Sequence, residues 1–266
     1  SCYRCFPHIV NLACKAVLGA ITNLNFASQD APDFIPSAPP GLESRSFMDA
    51  IDRDPIATVQ TVVRVIRASS LHRQYFTSIL NALKQKDLQL LRDIDVRWSS
   101  TLLMVERAIL LREGIDRFLS SDSFPEFQKY KLGSSEWDAL DVFRKVLSVP
   151  HAFQQRLSAE KTLTLCNAIP AFEAMVRIWS KQLDDDPDLA IVIQPGLNKL
   201  NDYRSRIADV PAYALAMSQC SYSLVFMGFL TMVNPAIKLN WFSSHAPEKI
   251  QWAKDLLLSE VIVLYL

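Results

Sequence analysis

Cys2, Cys5 and His8 stand three apart at the head of the chain, in CYRCFPHIVNLACKAVL, and thiolate and imidazole groups at that spacing are the types that hold zinc. A structural zinc site takes four ligands, and a local one pairs its first Cys-x-x-Cys with a second pair further along. No second pair follows, and the nearest candidates, Cys14 and His72, form no Cys-x-x-Cys or His-x-x-x-His unit. The reading is that Cys5 and His8 pack or hydrogen-bond locally, and no metal ligand is assigned. A nucleophilic cysteine is equally unsupported, because activation needs a base and an orienting group that spacing does not supply. A second group able to do chemistry is the basic set Arg64, Arg67, His72 and Arg73. Helix-spaced arginines neutralise phosphates, but solvated helix faces carry the same residues. Lys84, Lys86 and Arg92 are moreover interspersed with Asp87 and Asp93, so the solvated face is preferred.

These residues have to be positioned by helices. Six glycines against fourteen prolines, with apolar residues recurring at three and four, describe helices joined by proline-marked turns. The expected class is mainly α. After Pro7 the stripe is Ile9, Leu12, Ala13, Ala16 and Val17. Residues 27–46, ASQDAPDFIPSAPPGLESRS, read as a Pro-rich linker. Asp54 can N-cap a helix whose first residue is Pro55, with Val59, Val62, Val63 and Ile66 buried and Arg64 and Arg67 facing out. Further stripes are Leu71, Tyr75, Ile79, Leu80 and Leu83, then Leu102, Val105, Ile109 and Leu110 running on to Phe118. Ser135 with Asp138 forms a capping-box pattern before Trp137, Leu140, Phe143 and Leu147, and Pro150 ends or kinks that helix. Helical stripes also cover 168–183 and 189–207, and another follows Pro247. Residues 189–193 and 261–266 are apolar and short enough to be strands.

A chain of 266 residues, 50% hydrophobic, can bury a large core in one or two domains. With 28 basic and 28 acidic residues the net charge is zero, so any contact with a polyanion has to come from a local patch. Five irregularly spaced cysteines are no disulfide framework, and a reducing compartment fits them. Nothing argues for a secretory leader. Residues 210–237 carry no charge, yet the sustained apolar part is nearer fourteen residues than the roughly twenty a membrane span needs. A buried helix is expected there and no membrane.

CFPHIVNLACKAVL resembles the Cys-x-x-His-x-(Ile/Leu)-Asn-Leu segment of hAT-superfamily DNA transposases, of fungal type. DIDVRWSSTLLMVERAI, 93–109, resembles their Arg-Trp segment, and NPAIKLNWF, 234–242, resembles the stretch before their C-terminal part. The resemblance implies a cut-and-paste transposase whose RNase H-like core is interrupted by a helical insertion domain. The chain then divides into a remnant of that core at 1–26, the linker at 27–46, the helical insertion domain at 47–240 and a return segment at 241–266. Mg²⁺ or Mn²⁺ serves the intact family, held by two aspartates before the Cys-x-x-His and a glutamate after the insertion, in two-metal phosphoryl chemistry. None of the three is assigned here, and no cofactor of this chain itself is expected. Asp93 and Asp95 stand at the approach to the Arg-Trp motif and read as turn and capping residues. The expected product is a transposase fragment, nuclear, associated with DNA at transposon ends and catalytically incompetent by itself, with homo-oligomerisation through regions absent here.

By the same resemblance Cys5 and His8 lie close to the active site, and Arg97 and Trp98 meet DNA at the cleavage point. A hairpin-forming transposase must splay a base out of the stack, and an indole can stack on that base while a guanidinium holds the phosphate. A Trp just before a serine-capped helix is also a hydrophobic staple, and Arg97 can simply pair with Asp93 or Asp95. Both readings stay open, with the DNA role slightly ahead. The uncharged stretch near 214–234 departs from the family pattern and reads as an insertion or as read-through in a decayed element. A helical protein-interaction module is the competing function.

Overall fold

The computed structural model describes residues 6–23, 26, 32–36, 46–94, 97–157, 168–208, 243–244 and 247–255. Cys2, Cys5, Asp95, the uncharged stretch at 210–237, the segment 234–242, the end at 261–266 and most of the Pro-rich linker lie outside them. The mainly α class holds. The elements are α1 (Phe6–Ile21), α2 (Phe47–Asp52), α3 (Pro55–Ala68), α4 (Ser70–Ala82), α5 (Trp98–Leu110), α6 (Arg112–Leu119), α7 (Ser134–Leu157), α8 (Ala168–Asp185) and α9 (Ala190–Ala208), with short 3-10 turns at Pro125–Tyr130, Pro187–Leu189 and Pro247–Lys249. Among the described residues there is no strand, and 189–193 is the 3-10 turn and first turn of α9. No helix of the described residues is long and apolar enough to cross a membrane.

Two compact units emerge, one of residues 1–151 and 179–199, the other of 152–178 and 200–266. In the first, α3 packs on α4 and α5, α4 on α6, and α1 on α5. The linker therefore joins α1 to the body it packs within, and its described part lies on α3. Thr61 Oγ1 accepts from the Phe34 N–H at 3.2 Å, and Arg64 Nη2 reaches the Pro32 carbonyl at 3.1 Å and Asp33 at 3.3 Å. Arg64 thus turns onto the linker instead of out to solvent.

Local chemistry sets the helix ends. Ser46, Asp54 and Ser69 accept from the Asp49, Ala57 and His72 N–H groups, capping α2, α3 and α4. Asp54 also takes the Thr22 hydroxyl at 3.0 Å and the Asn23 N–H at 3.1 Å, so one carboxylate ties the end of α1 to the start of α3. At α7 the cap forms two residues earlier than the Ser135 pattern: the Glu136 carboxylate accepts from the Gly133 N–H at 2.7 Å. Pro150 lies inside α7, which continues to Leu157.

The expected stripes of α3 and α7 are all buried, whereas α1 turns Val10, Cys14, Leu18 and Ile21 inward beside Ile9, Ala13 and Val17. α9 approaches α1 at Gly196, where an added Cβ would come within 2.7 Å of both the Trp179 ring and Val17 Cγ2. Trp179 is fully buried and donates its indole N–H to the Val146 carbonyl at 3.1 Å. In the second unit Ile169, Phe172, Met175, Val176 and Leu200 are buried, and Arg204 forks onto the Glu173 carboxylate through Nε, at 2.9 Å, and Nη2.

Candidate nucleic-acid interface

The loop that follows α4, described over 83–94, leaves it through a Schellman turn. Gln85 N–H bonds back to Leu80 and Lys84 N–H to Asn81, with Lys84 at φ 56°. Two arginines then hold it down: Arg67 from α3 donates to the Leu90 carbonyl, and Arg107 from α5 donates to the Gln89 carbonyl at 2.7 Å. The loop closes on Asp93. One of its oxygens accepts from Gln60 Nε2 on α3 at 2.7 Å and from the Thr101 hydroxyl on α5 at 2.8 Å; the other lies 2.5 Å from the Ser100 hydroxyl. The Ile94 N–H donates to Ser100 Oγ at 2.8 Å. Asp93 is 8% exposed, and it is stabilised by these neutral donors and by its place over the first turn of α5, where the helix dipole favours an anion. The Ser-Ser-Thr after Arg-Trp thus has a physical purpose: its second and third residues bring a buried carboxylate to the helix start.

This clamp fixes Arg97 and Trp98. Arg97 is the N-cap residue of α5, in extended conformation, with no side-chain cap bond. Its side chain is exposed, and no hydrogen bond or ion pair joins its guanidinium to another described residue. Asp93, one of the two expected pairing partners, is committed elsewhere. Trp98 points the other way. Its indole is 4% exposed and meets His151 edge-on, with ring centroids 6.1 Å apart at 85°. No face of this ring is open to a base; Trp98 is the first residue of α5, after the N-cap, so it is a buried core residue at the helix start and not an N′ staple, while Arg97 turns to solvent.

His8 is half-buried in the first turn of α1, the helix that packs on α5; its partner Cys5 lies outside the described residues. Cys14 is fully buried, and burial pushes its thiol well above the usual range, which makes it a core residue instead of a ligand or nucleophile. His72 belongs to no phosphate-facing set. Its Nδ1–H donates to the Val65 carbonyl at 3.0 Å, and its ring sits edge-on to Phe118, Phe124 and Phe127. Among the described residues no three of His, Cys, Asp and Glu converge as metal ligands would, and Asp93 is already saturated with donors. The described residues do not fit a divalent metal. Sequence reasoning read Asp93 as a capping residue and missed its burial and its tie to Gln60; an isolated Gln inside the apolar stripe of α3 was the available signal.

The described residues thus form a mainly helical unit with an Arg-Trp segment locked at the start of α5. The family described as the ZBED1 RNase-like helical domain matches residues 3–146, more than half of the 266 residues, and the chain belongs to that family. The chain is also similar to a Talaromyces stipitatus protein named "Putative transcriptional regulator tpeD", with 24% identity over 164 residues, which cover 60% of this chain and 18% of that protein. It thus spans about a fifth of that relative's length. No solved structure matches.

Proposed function

We propose that this chain is the helical portion of a hAT-type transposase or of a protein descended from one. On this reading it works in the nucleus, on DNA, as a docking surface for the backbone and not as a catalyst. The observation that carries the reading is Arg97. In a chain of the ZBED1 RNase-like helical family, the backbone of Arg97 is fixed at a helix start by a buried carboxylate clamp and a buried indole, and its exposed guanidinium is bonded to no other described residue. Its five N–H donors are therefore available to a phosphate. Trp98 serves by anchoring Arg97, and transposon ends are the DNA the reading favours. The two-metal chemistry of the parent family, with Mg²⁺ or Mn²⁺, would rest on carboxylates outside this set, and no step is assigned to the residues described above.

The test is fluorescence anisotropy of a labelled 30-base-pair duplex against the 266-residue chain across a salt series. The expected result is binding that weakens linearly in log–log form as salt rises, with a slope of about 0.9 per phosphate neutralised. Absence of salt-dependent binding at low ionic strength would remove the reading. A second reading has an observation of its own: Leu103 and Leu110, 40% and 61% exposed, lie seven residues apart on one face of α5, as on a helix that docks protein. Loss of binding to a protein partner on Leu110→Lys, with DNA affinity intact, would favour it.

A further inference from the structure

Four arginines gather where the end of α3, the start of α4, the loop at 89–92 and the outer part of α5 meet. Arg67 donates Nη1 to the Leu90 carbonyl, Arg73 donates Nη1 to the Arg67 carbonyl at the end of α3, and Arg107 donates Nη1 to the Gln89 carbonyl. Arg92, two residues beyond Leu90, is exposed. No carboxylate among the described residues pairs with any of them, although the chain is electrically neutral overall and Arg53, Arg64, Arg112, Arg117, Arg144 and Arg204 each have a carboxylate partner. Partial burial, and next the like charges of Arg92 and Arg73, hold Arg67 below the ordinary guanidinium range, which shows the three to be near enough to repel.

A guanidinium carries five N–H donors in a rigid fork. Each of the three bonded arginines is bound to a backbone carbonyl through Nη1, which orients the fork and leaves other donors for a ligand. Carbonyl straps alone could be supplied by neutral amide side chains. Four cations brought together with no counter-charge are costly unless an anion joins them, and an anion with several oxygens spaced along a line would use them best.

We infer that Arg67, Arg73, Arg92 and Arg107 form a second phosphate-contact site, which takes consecutive phosphodiesters of a DNA strand whose other contact is Arg97. Asp93, next to Arg92, is bonded to Ser100 and Thr101 of α5, whose N-cap is Arg97, so the two contacts are held in one frame. The inference rests on the DNA reading above and adds the place where the backbone lies.

The experiment compares the intact chain with Arg73→Gln/Arg92→Gln and with Arg73→Lys/Arg92→Lys, using the 30-base-pair duplex and the same salt series. The Arg92 side chain has no hydrogen bond to another described residue and Arg73 is exposed, so both doubles should stay folded, which thermal melting checks. The Gln pair should lower the log–log salt slope by about two units, and the Lys pair should keep it near the original. An unchanged slope in the Gln pair, with a reduced one in Arg97→Gln, would overturn this site and leave the DNA reading standing. Failure of Arg97→Gln to weaken binding, with the Gln pair still losing slope, would uphold this site and overturn Arg97 as the strand's other contact, whereas absence of salt-dependent duplex binding by the intact chain would remove the DNA reading itself. Tighter binding of poly-glutamate than of duplex at equal charge, abolished by the Gln pair, would also overturn the site as a DNA contact.

Discussion

Trp98 and Arg97 are adjacent and face opposite ways, and this divides their work. The indole is a buried anchor, so Trp98→Ala removes a large aromatic from the core and should cost about 3–5 kcal/mol. Thermal or denaturant melting would show this as a lowered midpoint, with the folded fraction still binding DNA. An unchanged midpoint with lost DNA affinity would put the ring on the nucleic acid instead. Asp54 allows a test by pH. Burial raises its pKa, outweighing the Ala57, Thr22 and Asn23 hydrogen bonds that lower it. The folded state thus holds the proton more tightly than the unfolded state. Its contribution to stability is complete below the ordinary carboxylate pKa and is lost as pH rises through the raised folded value. The melting temperature of the wild type relative to Asp54→Ser, which keeps a cap acceptor but does not titrate, should therefore fall as pH rises through that window. A difference that grows with pH would contradict the assignment.

At the scale of elements, the close approach of α9 to α1 depends on Gly196. In a free helix Ala would be better by about 1 kcal/mol, but here its Cβ would strike a fully buried Trp179 and Val17. Overpacking of this kind costs about 1–3 kcal/mol, so Gly196→Ala should lower the melting temperature; a rise would mean that the helices can part freely. The sequence made the helices legible wherever one face carried the burial, as in α3 and α7, and wherever a cap had its own chemistry, as at Asp54 and Pro55. The stripe of α1 was read about one position out of register, because Cys14 and Ala residues fill positions that a polarity pattern cannot rank. The seat of α1 within the body that follows the linker was not legible, since it depends on a long-range approach to α5 and α9. The Arg-Trp segment was identified from residue types alone, whereas the direction each side chain takes came from the Asp93 clamp, a contact across thirty-three residues to Gln60 that no local pattern carries.

For the molecule as a whole, neutrality hides asymmetry. Acidic partners cover many arginines, while Arg97 and the group at Arg67, Arg73, Arg92 and Arg107 are without a carboxylate partner among the described residues. A helical domain organised in this way presents fixed cations locally without the bulk charge that would make it bind any polyanion. The most direct test of the account is the duplex affinity of Arg97→Gln beside Trp98→Phe, both measured at low salt with the folded fraction determined by melting. The account predicts that Arg97→Gln melts like the wild type, binds duplex several-fold more weakly and loses about one unit of salt slope, while Trp98→Phe binds normally. Equal DNA binding by Arg97→Gln and wild type, with impaired binding by a fully folded Trp98→Phe, would contradict it.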